Sequence, residues 1–267
     1  MDFSEKHGPW AVIAGASEGT GREFARQIAA QGVNCLLIAR RKGPLLALAD
    51  EIRAETGSEC RTAAIDLARS DAAEALIAAC GSLDIGLFVA NAGSDPFGQK
   101  LLDRPISDWK DLIQRNVVTL FDCCYHFAGT MKARGKGGMI LVNSGACWGG
   151  ATYMAVYSAS KAFDLNLGEA LWAELRPFGV DVLNLVMGET DTPELRRFLA
   201  AKDLPLPETA ADAGAVARLG LEQLPNGPTC NWGLGPDEAP FGASSANARR
   251  DRVVMIEQVS KRFYEKG

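Results

Sequence analysis

The 267-residue sequence predicts a single α/β domain built on a doubly wound parallel sheet. Three observations predict it. Short apolar runs alternate with longer amphipathic ones from residue 9 to about 186. Those apolar runs lack a period of two, as strands do when both faces of their sheet are covered. A glycine-rich turn follows the first run directly and opens a helix.

Residues 10–14 read as a buried strand and 22–30 as the helix after it. Residues 33–39 form a second continuous apolar run. Residues 44–55 then show helical spacing, with Pro44 in the favoured first turn. Further strands are expected at 60–65, 85–90, 139–143 and 180–186, separated by helices at about 71–79, 107–133 and 156–176. Such an alternation implies right-handed crossovers and a parallel sheet. Past Pro193 the texture changes: residues 193–226 look helical and apolar but carry Pro205, Pro207 and Pro225. Residues 226–245 are rich in Gly and Pro, and a last helix is expected over 247–264. Nothing in the pattern marks a domain boundary, so residues 1–267 are expected to form one domain.

Composition narrows the function. A net charge of −5 supplies no basic face for nucleic acid. Seven Cys lie mostly in apolar runs, form no CxxC pair and share the chain with only two His, which leaves little for a metal site. Reduced, buried thiols are the expectation. The polar residues 1–8 do not read as a signal peptide, and no apolar run approaches a membrane span. A soluble, cytoplasmic protein is therefore expected.

The glycine turn is Gly15-x-x-x-Gly19-x-Gly21. Glycines permit a tight turn and let backbone N–H groups approach a pyrophosphate, whose charge a helix N-terminus favours. Alone, the three glycines could equally be a simple strand–helix turn; their place after the first strand favours the dinucleotide. Where NAD-binding folds carry an acid at the end of the second strand, this chain has Arg40 and Arg41. Guanidinium groups suit the extra phosphate of NADP, so NADP(H) is preferred over NAD(H), with solvated arginines as the duller reading. Glu18 tempers this by adding negative charge nearby. Asp66 could accept from an adenine amine or cap the next turn.

Tyr157 and Lys161 stand at i and i+4 and share one helix face. Ser144 ends the preceding strand, and Asn116 lies in the long helix before it. Each alone has an ordinary reading as packing, solvated or capping residue. Together with Asn91-Ala92-Gly93 after the fourth strand, and with Ser144 preceding Tyr157 by 13 positions, the set resembles the short-chain dehydrogenase/reductase family over residues 9–192.

The resemblance implies a Rossmann-like fold and hydride transfer between a nicotinamide and a carbonyl or secondary alcohol. It makes Tyr157 the acid/base. A free tyrosine has a pKa near 10 and needs help of roughly three units at neutral pH. An ammonium about 4 Å away offers on the order of 4 kcal/mol, enough to supply it. Lys161 would provide that charge and bind the nicotinamide ribose. Ser144 would bind the substrate oxygen, and Asn116 would hold a relay water. The implied cofactor contacts are Ser17 and Thr20 beside the three glycines, Arg40, Arg41, Asp66 and Leu67, Asn91 and Gly93, Tyr157 and Lys161, and Gly188, Thr190 and Thr192. The family's proline before Gly188 is replaced by Met187, a departure in the shape of that turn.

Ser94, Asp95, Phe97, Cys147, Trp148 and Met154 are expected to border the substrate, with Ser94, Cys147, Trp148 and Met154 as binding residues. The apolar Leu195, Phe198, Leu199, Leu204 and Leu206 come from the segment 188–226. This set suggests a hydrophobic, aromatic or polycyclic ketone. No His accompanies Cys147, so a catalytic thiol is not expected. By the same resemblance, helices 107–133 and 156–176 would join subunits in a homodimer or homotetramer. The final helix would cover the pocket or a partner. Alternatives are an NAD-dependent alcohol dehydrogenase, a non-redox enzyme on this fold, and a dinucleotide sensor without catalysis.

Overall fold

The continuous apolar runs become the strands of one parallel sheet, because each strand sends alternate side chains into two separate cores. The computed structural model describes residues 2–232 together with 255, 258 and 259. Helix α1 (Phe3–His7) opens with a capping box of Asp2 and Glu5. Then come β1 (Trp10–Ala14), α2 (Gly19–Ala29), β2 (Asn34–Ala39), α3 (Lys42–Thr56), β3 (Cys60–Ala64), α4 (Ala72–Cys80) and β4 (Ile85–Ala90). Helix α5 (Ile106–Ile113) runs through a π-helical turn, Gln114–Val118, into α6 (Thr119–Arg134). Strand β5 (Gly137–Ser144), a 3-10 turn at Gly145–Trp148, α7 (Ala155–Leu175) and β6 (Val180–Met187) follow. The last elements are β7 (Thr190–Asp191), α8 (Pro193–Ala200), β8 (Ala211–Asp212), α9 (Ala213–Gln223) and β9 (Thr229–Trp232).

The strand order is β3-β2-β1-β4-β5-β6-β9, with every pairing parallel. On one face Ile13, Leu37, Val89, Ile140 and Leu185 pack under Phe24 of α2, Leu48 of α3 and Val216 of α9. On the other, Val12, Ile38, Phe88, Leu141 and Val182 meet Leu76 of α4 and Phe127 and Met131 of α6. Burying one such side chain stabilises by about 1.5–3 kcal/mol, and dozens are buried. The order reverses between β1 and β4, which opens a crevice at their carboxyl ends.

The structure refines the sequence expectations in three places. The single helix expected over 107–133 is two helices joined by the π turn. The tract 193–226 divides into α8, β8 and α9, with the prolines at 205 and 207 in the link. Strand β9 falls inside the stretch read as a Gly/Pro-rich loop, and it completes the sheet beside β6. The helix expected over 247–264 lies outside the described residues except for 255, 258 and 259, which are helical. No described helix is long and apolar enough to cross a membrane.

Candidate active site

The crevice holds a continuous cavity of about 670 Å³. Its floor is the glycine turn. Gly15 (φ +87°) and Gly19 (φ +56°) adopt backbone conformations that favour glycine. A Cβ on Gly21 would sit 2.1 Å from the Gly15 carbonyl oxygen, and one on Gly19 would sit 2.9 Å from Thr192 Cγ2. Asn91 braces the turn, its Nδ2 donating to the Gly15 carbonyl at 3.0 Å.

Helix α2 begins here with no side-chain cap and no acid in its first turn. Its free N–H groups and positive dipole end therefore face the cavity. Buried Thr20 Oγ1 finds no partner among the described residues. An uncapped helix end, an orphaned hydroxyl and a glycine cradle fit a pyrophosphate.

Ser17, Arg40, Arg41, Asp66 and Leu67 line one end of the cavity. The two arginines differ. Arg41 Nη2 donates to Glu18 Oε2 at 2.8 Å, whereas Arg40 has no carboxylate partner among the described residues. Glu18 also accepts from Arg197 of α8, including a 3.2 Å bond from Nη1. The Arg197 and Arg41 guanidiniums hold the Glu18 carboxyl below its ordinary pKa, against some burial. Asp66 Oδ1 accepts the Ala68 N–H at 3.1 Å, capping its own turn, and the Leu67 carbonyl accepts from Thr119 Oγ1.

At the other end, α7 delivers Tyr157 and Lys161, and Ser144 ends β5 beside Asn143, which lines the cavity. Ser144 Oγ accepts the Ala146 N–H at 3.2 Å, capping the 3-10 turn, which leaves its O–H to donate elsewhere. Half-buried Tyr157 and buried Lys161 both line the cavity. Lys161 Nζ donates to the Val142 carbonyl at 3.0 Å and to Asp164 Oδ2 at 2.9 Å. A Cβ on Gly93 would lie 2.9 Å from that Nζ, so the glycine is what makes room for the amine. Asn116 lies in the π turn, a feature common at functional sites. Its Nδ2 donates to Ser160 Oγ at 3.1 Å, and Ser160 in turn donates to the Tyr157 carbonyl at 2.7 Å.

The turn after β6 is suspended from β9, since Gly188 N–H donates to the Trp232 carbonyl at 2.8 Å. Thr190 is buried with its hydroxyl directed to the Gly188 carbonyl, and Thr192 caps α8 by accepting from Leu195 N–H. Ser94, Asp95, Met154, Met187, Leu195 and Phe198 line the cavity mouth. Cys147 and Trp148 pack instead with Leu165 and Val186. Burial pushes the Cys147 thiol up to about 12, far from thiolate chemistry. No group of three or more His, Cys, Asp or Glu suited to a metal occurs among the described residues.

Two features escaped the sequence reading. Asp164 was legible as an acid three residues after Lys161 on the same helix face. The Glu18–Arg197 link, across 179 positions, had no local signal.

Comparison with known proteins shows the family and the fold. The short chain dehydrogenase family model matches residues 9–203. A 7β-hydroxysteroid dehydrogenase of Collinsella aerofaciens is 37% identical over 195 residues, 73% of this chain and 74% of that protein. A very-long-chain 3-oxoacyl-CoA reductase of Podospora anserina is 32% identical over 85% of this chain and 68% of its own. Among solved structures, a 7β-hydroxysteroid dehydrogenase superposes with a TM-score of 0.84 at 29% identity, covering 96% of this chain and 99% of that one. A short-chain dehydrogenase of Sphingobium yanoikuyae shares the fold, with a TM-score of 0.77 at 24% identity over 92% of this chain and 95% of its own.

Proposed function

The chain belongs to the short-chain dehydrogenase family of nicotinamide-dependent oxidoreductases, and from that premise we propose that it is an NADP(H)-dependent reductase of bulky hydrophobic ketones, of the steroid class. One observation carries the reading. Tyr157 and Lys161 line the same cavity as the uncapped α2 N-terminus and the unpaired Arg40, so proton transfer and dinucleotide binding share one cleft.

The glycine turn and Thr20 would hold the pyrophosphate, and Arg40 would hold the 2′-phosphate, with Arg41 shared between that phosphate and Glu18. Thr192 and the Thr190 backbone would meet the carboxamide. When bound, the nicotinamide supplies the hydride. Ser144 donates its free O–H to the carbonyl oxygen and stabilises the negative charge that develops there. Tyr157 gives its phenolic proton to the same oxygen. Lys161 stabilises the phenolate left behind, because a neighbouring ammonium favours the anion. In the oxidative direction Tyr157 accepts that proton.

Met154, Met187, Leu195 and Phe198 offer an apolar wall suited to a polycyclic body. The surface also supports self-association. Phe121 of α6 and Phe163 of α7 are exposed and pack edge to face at 6.5 Å, with Val118 and Tyr125 exposed on the same run. A second copy covering this face accounts for them.

The test is NADPH oxidation followed at 340 nm with ketosteroids, small ketones and acyl-CoA substrates side by side. Ketosteroid turnover above the others supports the reading, and preference for 3-oxoacyl-CoA overturns the substrate class.

A further inference from the structure

Beneath the proton-transfer pair lies a charge that the reaction does not itself require. Asp164 and Lys161 form an ion pair 2.9 Å long, with each side chain only 5% exposed. Ionised carboxylates are almost never buried without a specific partner, because desolvation disfavours them. Asp164 has one partner among the described residues. Its second oxygen, Oδ1, is buried and accepts nothing among the described residues, so the carboxylate braces no backbone and caps no turn. Its Oδ2 is spent on the Lys161 ammonium.

We propose that Asp164 is a positioning residue: its carboxylate fixes Lys161 as a buried ammonium, with two of its three N–H bonds committed to the protein and the third left for the cavity. The inference rests on Tyr157 and Lys161 being the proton-transfer pair. The first committed bond runs to Asp164 and the second to the Val142 carbonyl of β5. Gly93 approaches the amine from a third side with no side chain, so the remaining N–H has open space.

The electrostatics agree in sign. Burial works against the charge on Lys161, yet Asp164 and Tyr157 outweigh it and hold the amine above its ordinary pKa. Burial raises the Asp164 carboxyl, and Lys161 opposes that rise. The other titratable groups facing the pair are thiols. Cys147 of the 3-10 turn is pushed up to about 12 by burial, and Cys124 of α6 is also held well above the ordinary thiol range. Both are neutral, so Asp164 is the anion that sustains the ammonium. Without it, burial favours the neutral amine, and the phenolate of Tyr157 loses the cation beside it.

The test is a tyrosinate titration at 295 nm on the full chain, with the curve of Tyr157→Phe subtracted to isolate Tyr157. Asp164→Asn is expected to move tyrosinate formation at Tyr157 to higher pH, because the cation beside it is lost. Asp164→Glu, which keeps the charge, is expected to restore the wild-type curve. In a Lys161→Met background, Asp164→Asn is expected to change nothing, since its effect passes through the amine. Should Asp164→Asn fail to fold by far-UV circular dichroism, Asp164→Ser carries the same expectation. An unchanged or downward shift, or an equal shift in the Lys161→Met background, overturns the proposal. The titration needs neither cofactor nor substrate. Absence of ketone turnover would therefore defeat the proposed reaction while leaving this result standing.

Discussion

The two arginines after β2 are predicted to contribute unequally to NADPH binding. Arg40 is exposed and carries no carboxylate partner among the described residues, so a phosphate dianion gains its full charge-assisted hydrogen bond. Such bonds contribute about 1.5–3 kcal/mol, and solvent exposure places this one near the lower end. Arg40→Ala is therefore expected to weaken NADPH by roughly tenfold. Arg41 must first leave Glu18, at 2.8 Å, and exchanges one exposed anion for another. The net gain is about 0.5 kcal/mol, so Arg41→Ala is expected to cost about twofold. Glu18→Gln removes the competitor, which is expected to tighten NADPH several-fold and make Arg41→Ala as costly as Arg40→Ala. Titration of nicotinamide fluorescence with NADPH and NADH measures all of this, and NADH should be nearly flat across the series. A larger loss from Arg41→Ala than from Arg40→Ala, or an equal weakening of NADH, would refute the reasoning.

Two further outcomes are expected. Gly93→Ala places a methyl 2.9 Å from Lys161 Nζ, which cannot retreat without breaking its bond to Val142 or Asp164. Its kcat should fall by on the order of 10- to 100-fold, since a displacement near 1 Å is enough to cost that much. The melting temperature should fall too, because the Gly93 backbone (φ +157°) is strained for a residue with a Cβ. Charging the exposed aromatic face with Phe121→Asp and Tyr125→Asp should lower the oligomeric state seen by light scattering coupled to gel filtration. An unchanged mass would count against this face as a subunit contact.

Most of the fold was legible because it rests on long, strongly patterned segments. Strands such as 85–90 are uniformly apolar and could only be covered on both faces. What escaped was short or set by distant partners. Strand β9 is Thr-Cys-Asn-Trp, four half-buried residues in a stretch dense with Gly and Pro, and only its pairing with β6 makes it a strand. Helix α1 spans five residues, too few for periodicity to show. The division at Gln114–Val118 has no signature in a sequence that reads as one helix.

In the site, the residues with local motifs lie close to one crevice: the glycine turn, Tyr157 and Lys161 line it, and Ser144 follows Asn143, which lines it too. Side-chain direction was less accessible. Cys147 and Trp148 follow Ser144 closely in sequence, yet the tight 3-10 turn directs them into the packing of Leu165 and Val186. Glu18 was noticed as a nearby negative charge, but its pairing with Arg41 and Arg197 depends on how α8 folds back over the glycine turn.

The central claim is that Tyr157 carries the proton in an NADPH-dependent reduction. The most direct measurement is single-turnover NADPH oxidation with a ketosteroid, comparing wild type with Tyr157→Phe at equal cofactor saturation. The account predicts unchanged NADPH binding and a rate lower by about 10²–10⁴-fold in the variant. Equal rates in the two proteins would contradict it.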